Sequence, residues 1–530
     1  MMLAAVPCVA QPGTQSGAKT YRTTVLAIQQ QIDSGDLAAA RAEINAALGR
    51  YPRNGGLENL LGVVEAQQGH EDAARKAFRA AVRDEPTLAG AYLNLSRVDM
   101  ETAARDAAAR AEAKQMSMRA AELDPTNDEA HYLLATILTW ESDYRGSLNE
   151  LKRMSAAARS QVGVVALNCA DEAGAGDAKL TVEAELALAA HPALSEQDAW
   201  TCIPQLRAAK RADLIDELLT ATSEHGALSS RGLRMLGLAQ EAEGKLPAAR
   251  VTLEKAFAAG SDPVPTLVDL MRVAKSAGDN QGALGYLAHA RDLDPKDARL
   301  PYEFGVICLR MGLFAEARKA IGVAMELEPE NADYNLGMGL VVSYSEDPSQ
   351  ALAYLEKYHA LAPGAADGML ALGGALFRAK EFDRAASWLK QAAQHPETAS
   401  EAHYYLARIA RQEGRLDEAK SELNACLHSE PNQVNALAEL GQIEVTERDY
   451  QKAAETLQRA IALDADNYAA NFGLLQLYAR TGDARRDAQS KRFDAIKDKK
   501  EERDLQMMRS IEIRRNGEQT DRRETSSTNH

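Results

Sequence analysis

The chain has 530 residues, a formal net charge of −16, 45% hydrophobic residues and only 5% aromatic ones. No single core grows to serve a chain of this length, so several domains or a repeating architecture are required. The acidic balance works against adhesion to nucleic acid or anionic lipid, and the five cysteines include no Cys-x-x-Cys pair of the kind zinc and thioredoxin-like redox sites use.

In chain order, Met1–Ala10 comes first: short, apolar and uncharged. Cys8-Val9-Ala10 before Gln11-Pro12-Gly13 has the small-residue ending of a secretory signal without its basic start, and Pro7 argues against a lipid-anchored Cys8. Residues 1–20 are therefore expected to be a signal-like remnant or a disordered N-terminus. The protein is expected to be periplasmic or secreted, with the cytoplasm as the alternative. No other stretch is long and apolar enough to cross a bilayer.

From Tyr21 a period sets in. Pro52 and Pro86 stand 34 residues apart, as do Pro295, Pro329 and Pro363 in succession, and Pro431 lies two periods beyond Pro363. In the unit starting at Ala298, Phe304, Gly305, Cys308, Gly312, Ala317, Ile321, Ala324 and Pro329 occupy positions 7, 8, 11, 15, 20, 24, 27 and 32. Leu270, Ala274, Gly278, Ala283, Leu287, Ala290 and Pro295 repeat the pattern one unit earlier, as do Leu61, Gly62, Gly69, Ala74, Phe78, Ala81 and Pro86 near the start. Positions 4, 7, 8 and 11 lie on one helical face, position 15 interrupts the helix, a second apolar face follows, and proline at 32 forbids its continuation.

This arrangement resembles the tetratricopeptide repeat. The resemblance implies an all-α fold of helix-turn-helix repeats stacked into a right-handed superhelical solenoid, with small residues at 8, 20 and 27 letting two helices approach and large ones at 7, 11 and 24 filling the gap. The frame places unit starts near Tyr21, Gly55, Ala89, Asp128, Gln161, Ser195, Ser230, Val264, Ala298, Ala332, Ala366, Ser400, Val434 and Tyr468. About fourteen units thus span residues 21–483, with 161–229 degenerate. Pro86 to Pro125 is 39 residues, so about five extra residues in the run Glu101 to Lys114 are expected to lengthen the helices there.

After Gly482 the pattern stops. Residues 484–515 carry sparse apolar points, Phe493, Ile496, Leu505, Met508 and Ile511, among interleaved acids and bases, which predicts a charged helix capping the last repeat. Residues 516–530 have nothing to bury and are expected to be a disordered tail. Cys308 and Cys426 fall on packing positions 11 and 27. Cys169 and Cys202 fall on the first helices of adjacent degenerate units, where either a disulfide or two independent buried thiols is open, the latter being the ordinary state of such residues.

No His-Glu-x-x-His and no Gly-x-Ser-x-Gly occurs, and the paired glycines Gly337 and Gly339, or Gly373 and Gly374, sit at or beside the close-packing position. The reading is non-enzymatic, with no cofactor and no metal. The resemblance instead implies a concave groove lined by positions 2, 5, 9, 12 and 13 of the first helices. Positions 9, 12 and 13 carry Arg97, Arg207, Arg272, Lys275, Arg310, Arg378, Arg408, Arg411 and Arg480 against the acids Glu101, Glu172 and Glu241, so the groove is expected to be cationic. Tyr302, Phe377 and Tyr404 are its candidate apolar platforms, with Trp140, Trp200, Tyr344 and Phe472 also at or near groove positions. No unit has the lysine at position 5 that the family's chaperone-carboxylate clamp needs. The expected function is a protein-interaction scaffold that binds an acidic protein or peptide segment in this groove. The alternative is an assembly subunit of a bacterial envelope or secretion complex that works through its convex face and tail.

Overall fold

A first helix in each repeat runs until a single left-handed residue turns the chain. In the computed structural model, which describes residues 15–345 and 348–499, position 15 has φ between 63° and 81° in ten units, for example Gly69, Gly244, Gly312 and Gly414, and in the two degenerate units the left-handed residue falls one place later, at Gly176 and Lys210. The next residue then donates its N–H back to the carbonyl at position 11, as in His70 to Glu65 (2.9 Å), Lys245 to Gln240 (2.8 Å) and Arg415 to Ala410 (2.8 Å). That bond closes the exposed helix end and aims the second helix back along the first. Ser142, Lys210, Lys380 and Arg448 adopt the same conformation despite having a Cβ.

Proline ends the second helix. The residue before it is driven out of the helical region by the pyrrolidine ring, and Glu85, Asp124, Asp294, Glu328, Ala362 and Glu430 all have ψ between 66° and 88°. Between these two punctuation marks the helices of a repeat meet through position 8. A methyl group added at Gly62, Gly237, Gly305, Gly339, Gly373 or Gly441 would collide with Phe78, Leu253, Ile321, Leu355, Leu389 or Leu457, in each case the residue sixteen further on, at position 24. Ala74, Ala249, Ala317, Ala385 and Ala453, at position 20, are fully buried beside them.

The backbone divides into two compact bodies, Met1–Ala277 and Gly278–His530. The first contains helix pairs such as Gly55–Gln67 with Glu71–Asp84 and Ser230–Ala242 with Leu246–Ala258; the second contains Arg299–Arg310 with Phe314–Leu327, Ala366–Arg378 with Phe382–Ala392, and Val434–Glu447 with Tyr450–Leu463. Among the described residues there is no strand, and the fold is all-α. The inserted residues of the third unit lengthen both of its helices, Ala89–Ala103 to 15 residues and Ala107–Leu123 to 17, against 13 and 14 in the unit before. Its turn has no left-handed residue; Arg110 satisfies the carbonyls of Ala103 (2.9 Å) and Ala104 (3.0 Å) instead.

Residues 486–499 form a last helix that packs on Tyr468–Thr481. Phe493 lies 4.7 Å from the Tyr468 ring and 5.6 Å from Phe472, Ile496 is buried, and Gln489 Nε2 donates to Asn471 Oδ1 at 3.0 Å. Phe472 thus meets the chain's own helix on one side while remaining 37% exposed. The signal-like stretch Met1–Ala10 with Cys8, the remainder of the expected end helix at 500–515 and the tail at 516–530 lie outside the described residues.

Three stability effects follow from this geometry. Gly414 has open space around its Cβ position, so Gly414→Ala pays only the left-handed backbone and should lower the unfolding free energy by about 1–2 kcal/mol. Lys380→Gly relieves the same strain and should raise it by about 0.5–1 kcal/mol after glycine's entropic cost. Ile321→Ala empties a fully buried position 24 and should cost about 2–5 kcal/mol. Urea midpoints read all three, and no loss at Ile321 would refute the assigned register.

Candidate functional site

The arginines predicted to line the groove are mostly held by neighbouring repeats. In the first body, Arg97 is nearly buried and forks onto Glu129, with its Nε 2.5 Å from Oε1 and a further bond to Asn94 at 2.9 Å. Arg272 binds both oxygens of Glu241 at 2.6 Å and Asp269 at 3.0 Å. Lys275 is half-buried on the same helix, and Arg207 is exposed on Glu196–Ala208. Glu241, which sequence places among the groove acids, is thus the partner of a groove base.

In the second body the predicted residues converge around helices Ala332–Ser345, Ala366–Arg378 and Pro396–Gln412. Arg378 donates from Nε and a terminal nitrogen to Ser343 Oγ (2.9 and 2.5 Å), from the other terminal nitrogen to the Tyr405 hydroxyl (3.3 Å), and lays its plane 4.3 Å from the Tyr344 ring centroid. Arg408 lies over Phe377 at 4.7 Å and Tyr404 at 5.7 Å. Arg411 pairs with Glu439 and donates to Gln442 Oε1 at 3.0 Å. Arg480 donates to the Val445 carbonyl at 3.3 Å, while Arg310 stays exposed.

The aromatic platforms are packing residues to different degrees. Phe377 is buried, Tyr404 half-buried against the core, and Tyr302 stacks 4.7 Å from Tyr334, its hydroxyl pushed up to about 12 chiefly by burial. Tyr344, by contrast, is 51% exposed. It borders a cavity of about 370 Å³ whose floor includes Leu336, Leu340 and Leu370 and whose rim includes Arg378, Tyr405, Asp367 and Glu401. Asp367 and Glu401 occupy position 2 of consecutive units, as Asp333 does one unit earlier. Position 2 belongs to the predicted groove set, so the signal for these acids was present in the sequence, but counting charge at positions 9, 12 and 13 alone passes over it.

The degenerate units differ from the rest in being covalently joined. Cys169 on Val162–Ala175 and Cys202 on Glu196–Ala208 form a disulfide with their α carbons 5.7 Å apart, which corrects the expectation of independent thiols. First helices of neighbouring units lie side by side, and that brings residues 33 apart in sequence within bridging reach. Two carboxyls are fully buried in this segment, Asp171 on the helix of Cys169 and Glu185 on the next, Ala178–Ala189. Asp171 accepts from Thr139 Oγ1 (2.7 Å) and Ser147 Oγ (2.5 Å), yet burial raises it to about 7. Glu185 has no hydrogen-bond partner at either oxygen, and burial, then Glu217 and Asp213, raise it to about 7. Among the described residues no group of three or more His, Cys, Asp or Glu is arranged to hold a metal ion.

Tetratricopeptide repeat profiles match residues 27–89, 274–339, 336–399, 400–433 and 438–490. The chain belongs to the tetratricopeptide repeat family. It is similar to Cellulose synthase 1 operon protein C of Komagataeibacter xylinus, 23% identical over 448 residues that cover 81% of this chain and 33% of the relative. Cellulose synthase operon protein C of the same organism is 27% identical over 231 residues, covering 40% of this chain and 17% of the relative. The chain therefore spans a third or less of the length of these relatives. Among solved structures, a tetratricopeptide repeat protein from Parabacteroides merdae matches 47% of this chain and 98% of its own, with TM-score 0.43 and 14% identity. No helix among the described residues is long and apolar enough to cross a membrane.

The buried acids set a pH dependence. Unfolded Asp and Glu titrate near about 4, so between that pH and about 7 the folded chain retains protons that the unfolded chain releases. Their stabilising contribution is complete below the unfolded value and is lost as pH rises through the folded one. Glu185→Gln should therefore be more stabilising at pH 8 than at pH 5, relative to the parent chain, as read by thermal melting. An equal effect at both pH values would show that Glu185 does not titrate in this window.

Proposed function

We propose that this chain is an assembly scaffold in a bacterial envelope, holding components of a synthesis or secretion complex together. The observation that carries the reading is the similarity across 81% of the chain to a protein named for a cellulose synthase operon. The disulfide between Cys169 and Cys202 supports an oxidising compartment such as the periplasm, because bridges of this kind rarely persist in the cytoplasm. The charge pairing of the first helices supports the same reading: Arg97, Arg272 and Arg411 are committed to Glu129, Glu241 and Glu439 and so reinforce the stack.

Binding of a partner segment along the first helices is the second reading, and the open cavity beside Tyr344 favours it. Here Arg207, Arg310, Arg378 and Arg408, together with Tyr302, Phe377 and Tyr404, are proposed contributors, some by direct contact and others by shaping the wall.

The envelope reading is tested by fractionating the native bacterium after in-cell crosslinking of the tagged chain. The chain should be found outside the cytoplasm, its Cys169 and Cys202 should resist maleimide until reduced, and envelope synthesis or secretion components should be crosslinked to it. Recovery with the cytoplasmic fraction and freely alkylated Cys169 and Cys202 would defeat it. For the second reading, Arg310→Glu with Arg408→Glu should reduce crosslinking more than charge reversals on the second helices do.

A further inference from the structure

We infer that the cavity bordered by Tyr344, Asp367 and Glu401 receives a basic side chain carried by an otherwise apolar segment of a partner protein. This inference rests on the scaffold reading and assigns the chemistry of one of its docking points. At about 370 Å³ the cavity lies near the lower end of ligand-pocket sizes, which suits one or two side chains rather than a domain. Its floor is leucine, so the segment that enters must be apolar at its point of contact.

The charges then decide between an acid and a base. Arg378 is the cation in the lining, and three of its nitrogens are occupied by Ser343 and Tyr405 while its plane covers Tyr344. It builds the wall and has little left to offer an incoming carboxylate. Asp367 and Glu401 are exposed, and neither makes an ion pair or hydrogen bond to another described residue. An acidic segment would bring its charge to two uncompensated carboxylates. A lysine or arginine would place its charge between them and lay its methylene stem along the leucines and the exposed Tyr344 ring. At this cavity the expected acidic partner is therefore replaced by a basic one, because the arginine that suggested it is already bonded.

The test uses the full chain and two synthetic peptides, acetyl-Leu-Lys-Ala-Leu-Leu-Lys-Ala-Leu-amide and its counterpart with Glu in place of both Lys, titrated by calorimetry. The basic peptide should bind, and the acidic one about tenfold or more weakly. Asp367→Asn combined with Glu401→Gln should weaken the basic peptide about tenfold without changing the melting temperature, whereas Asp417→Asn, on another helix, should leave binding intact. Equal or tighter binding of the acidic peptide, binding of neither, or an undiminished affinity in the double variant would overturn the inference. Any of these alongside normal crosslinking of envelope components would sink the cavity assignment alone; absence of those components from the parent chain's crosslinks would sink the scaffold reading.

Discussion

The contact between position 8 and position 24 is the constraint on which the rest of the structure depends. Where glycine stands at 8, the branched or aromatic side chain at 24 fills the volume a Cβ would need, so each helix pair has one permitted separation and register. Alanines at 20 and 27 keep the same approach open, with Ala317 and Ala324 fully buried around Ile321. Because this seam uses the inner face of the first helix, the opposite face is left for neighbouring first helices and for solvent. Every candidate binding residue lies on that remaining face.

That face is charged in a way that composition conceals. A net −16 chain carries a line of arginines, but most meet a carboxylate, hydroxyl or carbonyl from an adjacent repeat about one period away: Arg97 with Glu129, Arg378 with Ser343, Arg480 with Val445. Such pairs are half-exposed at best and add modestly to stability. Their larger effect is on recognition, since a guanidinium with its donors occupied is a structural element. Around the cavity, the charges left without partners, Asp367 and Glu401, are of the opposite sign to the one expected of the groove.

The segment 161–229 reaches stability by another route. Its repeats depart from the pattern, and there the first helices are tied by Cys169 and Cys202 while Glu185 is buried without a partner and Asp171 is satisfied only by hydroxyls. A bridge closing a loop of this length is worth about 3–4 kcal/mol in the chain-entropy account. The weakest match to the period thus coincides with the covalent link.

What the sequence by itself determined is local: the helix-turn-helix period, the helix interruption at position 15, the proline stop at 32 and the small-to-large pairing of Gly305 with Ile321. These rest on backbone sterics and on spacings within one unit, which the order of residue types encodes directly. Tertiary structure alone decided which side chains meet across units. Cys169 and Cys202 sit at positions 9 and 8 of adjacent units whether bridged or not, and nothing in the spelling of Arg378 says that Ser343, 35 residues earlier, and Tyr405, 27 later, will take its hydrogen bonds. Such pairings depend on side-chain direction and on the rotation between stacked repeats, and a one-dimensional period of about 34 residues does not specify either.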